Sequence, residues 1–210
     1  MPECSYCHGK GIIAPSGTPG LPMKCYRCAG NGVIEWKDLR PGDHVCYFYD
    51  APAVQLETIA TYLVEGLKNG ERTIYVYNHH TPKDILDAIS AHQLDVKAEQ
   101  ARGALILLTA QEAYMPQGFF DVTAVFNLTK ELLKKTLQEG YRGIRAASEM
   151  DWALDSPKHS HELIGYELMM DHFFMSEQPP ITGVCQYERK RFPGIVVEGM
   201  EHAHRLVFQD

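Results

Sequence analysis

No apolar run in this chain approaches the ~20 residues that cross a bilayer. The opening Met1-Pro2-Glu3-Cys4 lacks the basic stretch and apolar core of a signal peptide. The expected compartment is therefore the cytoplasm, with no membrane partner. Positive charge is in deficit: 20 Lys and Arg face 27 Asp and Glu, a formal net charge of -7. Such a balance disfavours non-specific attraction to nucleic acid or to an anionic surface. Phosphate-cradling glycines are missing as well. GxxxxGK[ST] and a GxGxxG after a strand are absent, and Gly66-Leu67-Lys68-Asn69-Gly70-Glu71 reads as a helix end. The hydrolase elbow GxSxG is absent too. Neither a low-complexity linker nor a long internal repeat breaks the chain.

Cysteine is present in a telling pattern. Cys4-Ser5-Tyr6-Cys7-His8-Gly9-Lys10-Gly11 and Cys25-Tyr26-Arg27-Cys28-Ala29-Gly30-Asn31-Gly32 are two copies of CxxCxGxG. Two such knuckles can supply four thiolates to one tetrahedral zinc, and the glycines let the backbone turn tightly beneath it. In a cytosolic chain this spacing favours metal over disulfides. The turn-rich stretch Ala14-Pro15-Ser16-Gly17-Thr18-Pro19-Gly20 between the knuckles reads as a hairpin tip. The pair resembles the cysteine-rich zinc module of DnaJ-type chaperones, which carries four repeats for two zincs. Two repeats imply one structural zinc, held by Cys4, Cys7, Cys25 and Cys28. Residues 1–37 carry four basic side chains against two acidic ones. Two surplus positive charges are cancelled by a tetrathiolate zinc, so the module lacks the basic face of a DNA-binding unit. Stabilising a small fold or docking a protein is its expected work.

From residue 40 to 210 the pattern alternates strand and helix. His44 to Tyr49 is the first strand. Residues 53–68 follow with apolar positions on one helical face, closed by Asn69-Gly70. Thr73 to Tyr77 is a second strand, and Thr81-Pro82 opens a helix running to about His92. Ala104-Leu105-Ile106-Leu107-Leu108 reads as a central parallel strand, and Thr109 to Gly118 as a loop at the sheet's edge. A helix over 121–139, a strand over 143–148, a helix over 160–176 and strands at 181–187 and 205–208 complete the series. Such alternation requires crossovers, and so an α/β fold with a mostly parallel sheet and flanking helices.

In open α/β sheets ligands bind beyond the C-terminal strand ends. The residues assigned there are His44, Cys46 and Tyr47, then Glu149, Asp151 and Trp152, then Tyr166 and Glu167, and finally Cys185 and Tyr187. Carboxylates at a strand end are rarely needed for packing, and Trp152 could stack on a flat ligand or cap the sheet. Cys46 and Cys185 sit in apolar strands, where a free cysteine is more often a small buried hydrophobe than a ligand. With no oxyanion-hole cue beside them, the expectation is a binding protein and not an enzyme.

On Gly42-Asp43-His44-Val45-Cys46-Tyr47-Phe48-Tyr49, Gly70-Glu71-Arg72, Gly103-Ala104-Leu105, Glu149-Met150-Asp151-Trp152, Tyr166-Glu167 and Cys185-Gln186-Tyr187, the chain resembles the MEDS domain. This is the sensory domain of DcmR-type regulators in methanogens and methylotrophs. The resemblance implies a RecA/KaiC-like core without its P-loop that senses halogenated or one-carbon hydrocarbon derivatives in signal transduction or transcription regulation. A small organic ligand is the association it suggests; a second metal follows from the thiolate and imidazole groups, a protein signalling partner and a homodimer from a stand-alone sensor, and nucleic acid is less favoured on charge. Two other readings stay open. One is a metal- or redox-sensing role for His44, Cys46 and Cys185. The other is a KaiC relative that holds nucleotide without hydrolysing it.

Overall fold

The computed structural model describes residues 1–4, 6–13 and 23–210, with the side chains of 157, 158, 160 and 161 left aside. The expected hairpin tip at Ala14–Gly20 lies outside the described residues. Its two flanks are β1 (Ile12–Ile13) and β2 (Met23–Lys24), paired antiparallel.

The main sheet comprises β3 (His44–Tyr49), β4 (Arg72–Tyr77), β5 (Leu105–Thr109), β6 (Ile144–Glu149), β7 (Ile181–Glu188) and β8 (Leu206–Gln209). Its order is β5-β4-β6-β7-β3-β8, and every pairing is parallel. The helices are α1 (Pro52–Lys68), α2 (Pro82–Ser90), α3 (Val96–Ala101), α4 (Ala110–Tyr114), α5 (Val122–Gln138), α6 (Pro157–Glu177) and α7 (Gly194–Ala203). Among the described residues no helix is long and apolar enough to cross a membrane.

Local chemistry accounts for several boundaries. Thr81 caps α2 in a reciprocal box with Asp84, and Pro82 occupies the first turn. Gly70 follows α1 at φ +74°, a conformation that suits glycine. The stretch expected as a loop from Thr109 to Gly118 begins instead with the short helix α4, and only residues 115–118 are irregular. Thr109 Oγ1 accepts from Glu112 N (3.1 Å) while Glu112 Oε2 accepts from Thr109 N (2.8 Å), so a capping box closes its first turn.

A second correction concerns β5, expected at the centre and found at the edge. Its run is uniformly apolar because helices cover both faces there: Ile106 and Leu108 pack on one core, Leu105 and Leu107 on the other. The centre belongs to β6 and β7, with Arg145, Ser148, Glu149, Thr182 and Gln186 buried in them.

Strand alternation divides the interior. Cys46, Phe48, Ser148, Cys185 and Tyr187 face α4 to α7, while Val45, Tyr47, Tyr49, Arg145 and Ala147 face α1, α2 and the cysteine module. Trp36 joins that module to the sheet, lying 5.1 Å from the ring of Tyr47 and 4.4 Å from that of Phe208.

Candidate functional site

The four knuckle cysteines come together. Cys4 Sγ lies 3.8 Å from Cys25 Sγ, and Cys7 Sγ 3.7 Å from Cys28 Sγ. Zinc–thiolate bonds of about 2.3 Å in a tetrahedron set sulfur atoms about 3.8 Å apart. The two knuckles mirror one another: Gly11 N–H donates to Cys7 Sγ (3.2 Å) and Gly32 N–H to Cys28 Sγ (3.3 Å). A Cβ on Gly11 would stand 2.1 Å from Gly30 O, and one on Gly32 2.2 Å from Gly9 O. Close crossing of the two turns thus excludes a side chain at either position. This cluster can hold a metal ion.

A second convergence lies on the α6/α7 side of the sheet. His44 opens β3, Cys185 sits in β7, Glu167 projects from the middle of α6, and His204 follows the end of α7. All four are buried. His44 Nε2 stands 3.2 Å and His204 Nε2 3.3 Å from Glu167 Oε2. Cys185 Sγ lies 3.6 Å from His44 Nε2 and 3.5 Å from Glu167 Oε2. Tyr187 donates its hydroxyl to Glu167 Oε1, and Asp171 Oδ1 lies 3.8 Å from His44 Nδ1. His204 Nδ1 is 2.9 Å from the carbonyl of Met200. Since a carbonyl only accepts, that nitrogen carries a proton, and Nε2 is the ring atom turned toward Glu167. Burial acts to raise the Glu167 carboxyl, but the imidazoles of His204 and His44 outweigh it and hold it well below the usual range. Burial acts to lower His44, but Asp171 and Glu167 raise it overall. For Cys185 burial dominates and, with Glu167 alongside, pushes the thiol well up.

Beside this cluster an apolar cavity of about 120 Å³ opens between the sheet and helices α5 and α6. Ile74, Leu108, Val125, Leu132 and Met170 wall it, and its polar lining includes His44, Cys185, Ser148 and the rings of Tyr114 and Tyr166. A larger, more polar hollow of about 510 Å³ runs between the cysteine module and α6, past Tyr6, Tyr26, Arg40, Asp171 and Arg205. His44 borders both hollows.

The expected site residues therefore separate. His44, Glu167 and Cys185 converge, with Tyr187 bracing them and Tyr166 lining the cavity. Cys46 is paired in register with Cys185 and buried on the same face, but it is outside the set of four donors. Trp152 is fully buried, stacked 4.6 Å from Tyr114. Asp151 accepts from Arg191 Nη1 (2.6 Å). Tyr47 lies on the opposite face and donates to Asp210 Oδ1 (2.6 Å).

Glu149 is also on that opposite face, at the C-terminal strand edge. Its oxygens accept from Tyr75 Oη (2.7 Å), the backbone N–H of Asn78 (2.7 Å) and that of His79, and His80 Nδ1 lies 2.7 Å away. Burial acts to raise this carboxyl, but His80, Tyr75 and the two N–H groups bring it down to about 2. A lowered carboxyl stabilises the fold above its unfolded value, and that contribution fades as pH falls through the folded one. The stability gap between wild type and Glu149→Gln is accordingly expected to be full at pH 5 to 6 and to close between about 4.5 and about 2. Thermal midpoints measured across that range check it; a pH-independent gap would contradict the role.

Two participants escaped the sequence reading, His204 and Asp171. His172, on the neighbouring face of α6, is exposed. The histidine pattern His202-Ala203-His204 before the last strand was the available cue.

Residues 43–205 match the family described as the MEthanogen/methylotroph, DcmR Sensory domain, MEDS. The chain belongs to the MEDS family. The cysteine module precedes the matched MEDS region, which starts one residue before His44 and ends one residue after His204. Among solved structures, the MEDS chain is similar to a KaiC-like protein from the hyperthermophilic archaeon Pyrococcus horikoshii OT3. The two are 13% identical with a TM-score of 0.54, over 80% of this chain and 71% of the other. At that identity the likeness establishes the fold alone. No curated protein matches the chain.

Proposed function

We propose that this MEDS domain senses a small organic molecule of one to a few carbons, bound in the apolar cavity with its polar end toward His44 and Cys185. The supporting observation is the cavity itself: about 120 Å³, aliphatic and aromatic walls, and polar groups gathered around one sulfur and one imidazole. A cavity of roughly 150 Å³ accepts benzene or xenon, so this one suits a halogenated methane or a short alcohol. The site is read as binding without catalysis. Cys185 stands next to an imidazole as a nucleophile would, yet in the metal-free protein burial pushes its thiol well up, which weighs against a nucleophile.

The cysteine module is read as a structural zinc unit that carries the signal to a protein partner. Arg27 of the second knuckle donates from Nη1 to Asp38 O (2.6 Å) and from Nη2 to Asp43 Oδ2 (2.5 Å), the residue before His44. A rearrangement at the cavity therefore has a short route to the module. In a cell the output would be transcriptional or signalling regulation in the cytoplasm.

Methyl-resolved NMR during titration with dichloromethane, and separately with methanol, tests the ligand site. Shifts are expected at Leu108, Val125, Leu132 and Met170, and their loss in the cavity-filling Ala146→Leu. Unmoved cavity methyls in the wild type with both probes would remove the assignment.

A further inference from the structure

We propose that His44 Nε2, Glu167 Oε2, Cys185 Sγ and His204 Nε2 form a second metal site, for a borderline-soft divalent transition ion such as zinc or cobalt(II). The four donors come from four elements in two layers of the fold: the start of β3 and the middle of β7 in the sheet, the middle of α6 and the residue after α7 in the helical layer above it. Their spacing is that of a coordination shell. A tetrahedron with bonds of about 2.0 Å to nitrogen and oxygen and about 2.3 Å to sulfur has edges of about 3.3–3.6 Å. The measured separations about Glu167 Oε2 and Cys185 Sγ run 3.2, 3.3, 3.5 and 3.6 Å, and all four donor atoms lie within 4.8 Å of one another.

The surroundings orient each donor as metal sites require. His204 donates its other nitrogen to the Met200 carbonyl, and Tyr187 holds the second oxygen of Glu167. Such outer contacts fix tautomer and ring orientation in histidine-ligated centres. His204 Nε2 is fully buried and makes no hydrogen bond, although it points at this cluster. A buried polar atom left unmatched is costly; with the ring neutral, a cation at the centre of the four would satisfy it. The donor chemistry, one sulfur, two imidazoles and one carboxylate, favours zinc, cobalt, nickel or copper over magnesium or calcium. Access is provided by the hollow of about 510 Å³ that His44 and Asp171 border.

The site needs only these four residues and stands whether or not the cavity holds a ligand. One consequence does rest on the ligand reading. Because His44 and Cys185 also wall the apolar cavity, a bound ion would meet the polar end of the sensed molecule.

The test is cobalt(II) loading of the metal-stripped full chain, followed by gel filtration, metal counting and absorption spectroscopy. Two ions per chain are expected, with a visible spectrum that sums a tetrathiolate and a mixed sulfur–nitrogen–oxygen site. His204→Gln and Cys185→Ser are each expected to retain one ion and the tetrathiolate spectrum alone. One ion in the wild type, or two in His204→Gln, overturns the proposal. Should either variant fail to fold, the wild-type count and spectrum decide by themselves. The dichloromethane titration reads the cavity separately, so failure of the metal site and failure of the ligand reading give different results.

Discussion

Glu71→Ala is expected to cost about 3–5 kcal/mol, the usual penalty for stranding a buried charge. Its partner is Arg145, near the start of the central strand β6, and Arg145 Nε donates to Glu71 Oε2 at 2.5 Å with both side chains buried. The guanidinium is further enclosed by Tyr62, whose ring centre lies 4.7 Å away, and by α1. A Cβ on Gly66 would meet Arg145 Cδ at 2.5 Å, so the glycine is what lets the helix pass over this arginine. Without Glu71 the cation has no water to turn to. The double variant Glu71→Ala/Arg145→Met is expected to recover most of the loss, since replacing a buried pair with apolar groups is often close to neutral. Urea unfolding of the three variants measures both effects. A loss for Glu71→Ala within about 0.5 kcal/mol, as for a surface site, would show the pair to be unimportant.

The second large effect lies in the cysteine module. Cys25→Ser, or removal of metal by a chelator, is expected to melt residues 1–35 while the sheet domain stays folded. Among its described residues the module has little else to hold it: the strands are two residues each, and the buried apolar set is little more than the four cysteines with Ile34. Structural zinc contributes on the order of 10–16 kcal/mol in comparably small units, far more than such a core could supply. From Trp36 onward the chain is pinned on Tyr47, Tyr62 and Phe208, which sets where melting stops. Limited proteolysis with mass spectrometry reads the boundary. Protection of residues 1–35 in metal-free protein would dismiss the structural role.

Much of the architecture was legible because it depends on local period and caps. The first strand at His44, the helix after Pro52 and the Thr81 cap all follow from neighbours in sequence. The capping box Thr109-x-x-Glu112 was equally readable and marks a helix where a loop was expected. Strand order was not readable, since no periodicity says which strands a crossover brings together. A run as apolar as Leu105 to Leu108 reports cover on both faces, and that cover extends to the edge here. Expected site residues divided for a related reason. Ser148 and Cys185 are register partners on one face, whereas Glu149 and Gln186, one step on, belong to the other. Period two separates what proximity in sequence seemed to join. His204 reaches the cluster only through the turn that follows α7, a placement set by tertiary packing.

Order of synthesis meets the order of strands in an awkward way. β3 carries His44 and Cys46, yet its two neighbours are β7 and β8, the strands of this sheet that come latest in chain order. β4, next to emerge, belongs three places away, across a gap that β6 and β7 later fill. A nascent chain thus exposes an apolar strand with no mate until β7 emerges, a situation that slows folding and favours aggregation. Chains truncated before the final strand should therefore accumulate in inclusion bodies, and chaperones that shield unpaired strands should raise the yield of the full protein.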